Sequence, residues 1–181
     1  MRFVTIPGID GSGGDHWQSI WEAEWGPRAS RIEPASWVAP ELDDWCDAID
    51  VAVRRVAPQA VVLVAHSLGC LAAAQWIHRS PLPVRGVFLV APPDRTGATF
   101  PAAAAPTFTV APERPLAVPG LIVSSDDDPY CTERAGRRLA RAWALPRITA
   151  GSIGHINSRS GLGRWDRGHT LLTGFVASLA E

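Results

Sequence analysis

Val61-Val62-Leu63-Val64-Ala65-His66-Ser67-Leu68-Gly69-Cys70 decides how this chain is read. Four consecutive branched aliphatics describe a strand buried on both faces. An alanine-rich helical pattern runs from Leu68 to about His78. Between the two lies Ser67, bracketed two residues away on each side by the small residues Ala65 and Gly69. Strand, tight turn and helix are the context in which a G-x-S-x-G-like elbow acquires meaning. The turn holds its serine in a strained conformation with the hydroxyl raised above the sheet edge. The flanking positions must be small because strand and helix approach closely there. Alanine in place of the first glycine still meets that demand. The motif alone is only moderately specific, so the rest of the chain must supply a base, an acid and donors for an oxyanion.

Composition narrows the classes. The 181 residues suit a single domain, 1–181, with a sizeable core. A formal net charge of -1 favours neither nucleic acid nor an anionic membrane as a partner. No run approaches the roughly 20 apolar residues of a membrane span. The start, Met1-Arg2-Phe3-Val4-Thr5-Ile6, reads as a strand and lacks signal-peptide organisation. Cys46, Cys70 and Cys131 are scattered without metal-ligand spacing, so reduced thiols and a cytoplasmic location are expected, with no metal and no cofactor. Eight tryptophans against one tyrosine are unusual, and packing between helices and sheet is the simplest use for most of them.

Outward from the elbow, strands and helices alternate. Arg2 to Ile6 is followed by the glycine-rich loop 8–15, then by a helix from about His16 to Trp25. Trp17, Trp21 and Trp25 fall on one face of it. The loop lacks a Gly-Lys-Ser/Thr ending and a true G-x-G-x-x-G, so nucleotide binding is disfavoured. A weak strand at Ser30 to Glu33, a helix from Pro40 to about Val56 and the elbow unit come next. Strands at 84–90, 120–124 and 147–149 and helices at 132–143 and 169–179 complete the pattern. The proline-rich stretch 91–119 is either a cap over the site or an irregular excursion. This alternation predicts a three-layer α/β/α sandwich with about six mostly parallel strands. Ligands of such sheets bind beyond the carboxyl ends of the strands.

The residues capable of chemistry fall at those ends. A serine hydroxyl needs an adjacent base, and an imidazole base needs an acid to fix its tautomer. Ser67, an aspartate and a histidine follow one another in the order found in α/β-hydrolase-type sheets. Of the five histidines, His155 sits on a loop after the last strand, between Gly154 and Asn157, and is the preferred base. His66 should be directed away by the turn, His78 and His169 lie at helix ends, and His16 borders the glycine-rich loop. For the acid, Asp128 is preferred over Asp127 and Asp94, because Pro129 biases it to an extended pose and opens the next helix. Leu68 and Ile9 are expected to offer backbone N–H groups to the oxyanion, with Asp10 as the alternative second donor. Pocket walls are expected from Asp10, His16, Trp17, Ile156 and Trp165. Cys70, one turn into the helix, is better explained as a small buried residue than as a nucleophile.

Four motifs occur together: Pro7-Gly8-x-x-Gly11-Ser12-x-x-x-His16-Trp17-Gln18, Ala65-His66-Ser67-Leu68-Gly69-Cys70, Asp128-Pro129-Tyr130-Cys131, and Gly154-His155-Ile156-Asn157-x-x-Ser160-Gly161-Leu162-Gly163-x-Trp165. Across nearly its whole length the chain resembles the small serine hydrolases related to retinoblastoma-binding protein 9. The resemblance implies a minimal α/β-hydrolase fold lacking the first two strands of larger relatives, and a Ser-Asp-His triad at Ser67, Asp128 and His155. Two departures stand out: Asp166 replaces the family's usual proline after the late tryptophan, and Asp128 has extra acidic neighbours. The expected activity is hydrolysis of small carboxylic esters through an acyl-enzyme. The alternatives are amide or peptide hydrolysis by the same residues, or a protein-binding module that retains the fold, although no feature of the sequence indicates a protein partner.

Overall fold

The computed structural model describes residues 1–56 and 58–179. Among the described residues six strands and five helices follow in the order β1 (Arg2–Ile6), α1 (Trp17–Trp25), β2 (Ala29–Arg31), α2 (Leu42–Arg54), β3 (Val61–His66), α3 (Leu68–Arg79), β4 (Gly86–Val90), β5 (Gly120–Ser124), α4 (Glu133–Trp143), β6 (Arg147–Thr149) and α5 (Asp166–Ser178), with no α-helix between β4 and β5. The strands form one sheet in the order β2-β1-β3-β4-β5-β6, and every pair is parallel. The chain winds outward from β1 to β2, then returns to place β3 on the other flank of β1. The strand order therefore reverses between β1 and β3, and a crevice opens beyond their carboxyl ends.

The two-residue period of the strands sorts the core into two layers. Val4, Ile6, Val61, Leu63, Ala65, Val87, Leu89 and Ile122 face α2, α3 and α4. Phe3, Val62, Val64, Phe88, Val90, Leu121 and Val123 face the tryptophans of α1 and Leu172 of α5. This is the expected three-layer sandwich. It explains why the central strands read as unbroken apolar runs, since both faces of each are covered.

Local chemistry sets the helix ends. His16 caps α1 by accepting from the Gln18 N–H, Thr132 caps α4 by accepting from Ala135, and Asp43 and Asp44 occupy the first turn of α2. Several boundaries differ from the sequence reading: β2 covers Ala29–Arg31 where 30–33 was expected, β4 starts at Gly86 where 84 was expected, and the largest difference is in the last helix. The last helix starts at Asp166, three residues before His169, because Trp165 takes a left-handed conformation (φ 50°) that redirects the chain. Asp166 is thus the first helical residue. A proline suits that position by its fixed φ, and an aspartate by its charge at the positive end of the helix dipole. The departure from the family pattern leaves the helix start intact.

The stretch 91–119 is irregular apart from a short 3-10 segment at Pro106–Val110, and it is firmly attached. Phe100, Ala105, Phe108, Ala111 and Leu116 are buried in the core. Arg95 donates to the Thr109 carbonyl at 2.7 Å and pairs with Glu113, Arg138 pairs with Asp94, and the Trp143 indole donates to the Pro112 carbonyl at 3.0 Å. These contacts make it a fixed wall of the molecule.

The tightest constraint lies at the elbow. A Cβ on Gly69 would stand 2.5 Å from the Pro7 carbonyl oxygen and overlap that of Ile6, and backbone cannot yield as a side chain can. Gly69→Ala is expected to destabilise the fold by on the order of 3 kcal/mol. Gly174→Ala, on the exposed face of α5 with open space around it, is expected to stabilise by up to about 1 kcal/mol. Urea unfolding of both variants measures the contrast.

Candidate active site

The elbow places Ser67 between β3 and α3 with φ 54° and ψ -127°, a region that non-glycine residues occupy only under constraint. The Ser67 N–H donates to the Val90 carbonyl at 3.0 Å, which fastens the turn to the neighbouring strand. The Ser67 hydroxyl donates to His155 Nε2 at 2.8 Å across 88 residues of sequence. His155 Nδ1–H in turn faces both carboxylate oxygens of Asp128 at 2.9 Å. A carboxylate can only accept, so Asp128 fixes the tautomer with the proton on Nδ1 and leaves Nε2 as the acceptor of the Ser67 hydroxyl. All three side chains are buried.

The three consecutive aspartates have three different tasks. Asp126 accepts from Thr149 at 2.6 Å, on the edge strand. Asp127 accepts from Ser125 Oγ and from the Gly154 N–H, each at 2.8 Å, and so ties down the turn that carries His155. Asp128 alone reaches the imidazole, and its Oδ1 also accepts from the Tyr130 N–H at 2.9 Å. The alternative acid Asp94 is occupied by Arg138 and Thr96. Cys70 is equally committed: burial pushes its thiol well above the ordinary range, and Sγ–H donates to the Val90 carbonyl at 3.3 Å.

Beside the serine, the loop after β1 presents its backbone. Gly8 comes so close that a Cβ there would lie 2.7 Å from that of Ser67. The Asp10 N–H is engaged by the Trp37 carbonyl at 2.9 Å. The N–H groups of Ile9 and of Leu68, the first residue of α3, have no partner among the described residues. Gln18 holds the loop from below. Its amide donates to the Val64 carbonyl at 3.0 Å and its oxygen accepts from Ser12 Oγ at 2.7 Å.

These groups meet at a cavity of about 300 Å³ lined by Gly8, Ile9, Asp10, His16, Ser67, Leu68, Pro93, Pro101, Tyr130, His155, Asn157 and Arg159, among others. Asp10 and His16, both expected in the pocket wall, line it. Trp17, Ile156 and Trp165 do not. They are 1%, 0% and 5% exposed and form the layer behind the cavity. The Trp17 indole donates to the Ile156 carbonyl at 2.8 Å, the Trp21 indole donates to the Arg164 carbonyl at 2.6 Å, and both rings pack against Trp165. The tryptophan face of α1 thus holds the loop that carries His155 at two points, both on the C-terminal side of that residue. Its four-residue spacing marked a packing face, but the sequence did not reveal that the packed partner is the loop that carries His155. Tyr130, whose ring meets that of His155 at 4.6 Å between centroids, joins the wall through the same Asp-Pro-Tyr turn that sets Asp128.

His66 was expected to turn away from the site. It lines the same cavity as Ser67, and its Nε2–H donates to the His155 carbonyl at 2.9 Å. A third imidazole, His16, meets His66 at 4.9 Å between centroids. Burial is the main reason that His66 is held well below its ordinary pKa and His16 is lowered from 6.5 to about 4.

With this geometry in place, comparison with known proteins decides the family. A profile for the family described as Serine hydrolase matches residues 3–174. The chain belongs to that family. Among solved structures, a YdeN-like hydrolase from Pectobacterium atrosepticum is 32% identical, with 98% of this chain and 91% of that chain covered and a TM-score of 0.85. The ydeN gene product of B. subtilis is 20% identical, with 98% and 100% covered and a TM-score of 0.72. A structure from work on carboxylesterases of Nitrososphaera gargenis is 10% identical, with 99% and 90% covered and a TM-score of 0.70, and shares the fold. No curated protein matches the sequence. The architecture is that of a minimal α/β hydrolase, in line with the resemblance drawn from the four motifs. Among the described residues, no helix is long and apolar enough to cross a membrane.

The buried neutral imidazoles carry a consequence for acid stability. Unfolding releases His16 to an ordinary pKa near 6.5, so below that pH the unfolded chain binds a proton that the folded chain refuses until about pH 4. Stability is therefore lost as pH falls through this window, by on the order of 3 kcal/mol from His16. His66 acts in the same direction. Urea unfolding at pH 7 and pH 4 measures the loss. His16→Asn, which replaces the capping Nδ1 with a side-chain oxygen acceptor, is expected to reduce it.

Proposed function

We propose that this protein hydrolyses small carboxylic esters through an acyl-enzyme, with Ser67 as nucleophile, His155 as general base and acid, and Asp128 as the group that orients it. The observation that carries this reading is the unbroken chain of hydrogen bonds Ser67–His155–Asp128, opening on a cavity beside two unengaged backbone N–H groups. As Ser67 Oγ attacks the ester carbonyl, its proton passes to His155 Nε2 and the carbonyl oxygen gains the charge. The N–H groups of Leu68 and Ile9 receive that charge, a contribution of about 2.7–4 kcal/mol per donor in comparable sites. The tetrahedral species collapses as the alcohol oxygen leaves with the proton held on His155. A water then gives a proton to His155 and attacks the acyl carbon, and the carboxylic acid departs as the proton returns to Ser67.

Cavity size favours small substrates, since about 300 Å³ lies at the lower end for ligand pockets. Ester hydrolysis is preferred over amide hydrolysis because an alcohol leaves with less protonation than an amine, and the site presents one imidazole to Ser67.

A fluorophosphonate probe is expected to add to Ser67 in the native protein and to leave Ser67→Ala untouched. Asp128→Asn is expected to lower kcat by about 10⁴-fold. With matched substrates, a p-nitrophenyl ester is expected to turn over faster than the corresponding anilide. Labelling that persists in Ser67→Ala would remove the nucleophile from this scheme, and faster anilide turnover would reverse the substrate class.

A further inference from the structure

The cavity over Ser67 is lined by one permanent cation, Arg159. His16 and His66, which also line it, are held in their neutral form by burial. Arg159 lies in the short 3-10 turn Ser158–Ser160, on the loop that carries His155. Asn157 caps this turn. Its Oδ1 accepts from the Arg159 N–H at 3.0 Å, and its own N–H donates to Ser160 Oγ at 3.3 Å. The root of the Arg159 side chain is thereby fixed, and its guanidinium has neither hydrogen bond nor ion pair among the described residues. Neither the core nor the cap calls for an arginine here, because the side chain is exposed and the cap uses only the backbone of this residue.

A neighbouring cavity of about 410 Å³ shares Tyr130, His155, Asn157 and Arg159 with the first. The two form one groove that runs from the loop after β1 past His155, and Arg159 lines both parts of it. Two carboxylates border the groove as well, Asp10 in the first part and Asp127 in the second, and Arg159 pairs with neither. Asp127 is already engaged by Ser125 Oγ and the Gly154 N–H, each at 2.8 Å. Asn157 stands beside Arg159 on the wall, and with its Oδ1 spent on the turn it has only its amide N–H groups left to offer. An anion in this groove is repelled at Asp10 and Asp127 and attracted at Arg159.

We infer that Arg159 is a specificity-determining residue that receives a carboxylate carried by the substrate, away from the scissile ester. The substrate class is therefore an ester that is also an acid, either a half-ester of a dicarboxylic acid or an ester of a hydroxy acid. This inference rests on the ester-hydrolase reading of Ser67 and deepens it. A guanidinium is planar and always charged, and it meets a carboxylate through two parallel N–H···O bonds. A single charge suits the site, since the two flanking carboxylates oppose a dianion.

The test compares esters that differ only in charge. On the acyl side, monomethyl esters of dicarboxylic acids from succinate to suberate are compared with the same esters bearing a terminal carboxamide. On the alcohol side, butyrates of ω-hydroxy acids are compared with those of the matching ω-hydroxy amides. The readout is the acid-to-amide ratio of kcat/KM in the native protein, in Arg159→Gln and in Arg159→Glu, with fluorophosphonate labelling of Ser67 to show that each variant is folded. In one series the ratio is expected to fall by about 5-fold in Arg159→Gln, the scale of one exposed ion pair, and further in Arg159→Glu. Salt at 0.5 M is expected to bring the native ratio toward that of Arg159→Gln. Equal ratios in all three proteins at every chain length overturn the inference, as does labelling of Ser67 in a native protein that turns over neither acid series. If the native protein hydrolyses no ester and Ser67 resists the fluorophosphonate, the ester-hydrolase reading itself falls and takes the inference with it.

Discussion

Where β1 ends and α3 begins, backbone packs directly against backbone. Gly69 has no room for a Cβ against the carbonyls of Ile6 and Pro7, and Gly8 has none against Ser67. This contact does two things at once. It forces Ser67 into its left-handed conformation, with the hydroxyl raised from the sheet, and it brings the loop after β1 alongside that hydroxyl. The site lies at the reversal of strand order between β1 and β3, where neighbouring connections diverge to opposite faces and leave a crevice. The remaining elements serve to bring an imidazole to that point and hold it.

Holding it takes more than Asp128. The loop that bears His155 has little regular structure of its own, and its position is set from three directions. Asp127 fixes the turn before it, the Trp17 and Trp21 indoles hold carbonyls on its far side, and His66 holds the carbonyl of His155 itself. In the proposed scheme the base needs this kind of surrounding support, because small displacements of a reacting group cost rate steeply. The same support buries two further imidazoles in their neutral form, so the arrangement that positions the base also makes the fold sensitive to acid.

Much of this was legible before any coordinates. The apolar run of β3, the small residues around Ser67 and the strand–helix alternation depend on local sterics and periodicity, and sequence records these directly. Asp128 was also favoured for a local reason, the restriction imposed by Pro129. What escaped the sequence depends on side-chain direction across long separations. Trp17 and Trp165 were placed at the pocket, but their indoles turn to the layer behind it because the carbonyl of Ile156 and the neighbouring rings are there to meet them. His66 was read as turned away, and its target is a carbonyl 89 residues on. That the Asp10 N–H is occupied and that of Ile9 is open among the described residues depends on where Trp37 lies, which no pattern in the glycine-rich loop discloses.

The central claim is that Ser67 becomes acylated during turnover. The most direct measurement is acid quenching of the protein within its first turnovers of p-nitrophenyl butyrate, followed by mass analysis of its peptides. A butyryl group on the peptide containing Ser67, appearing with the first release of p-nitrophenolate and absent in Ser67→Ala, is the expected result. Steady turnover with no acyl group on any peptide, or with the group on a residue other than Ser67, would contradict the account.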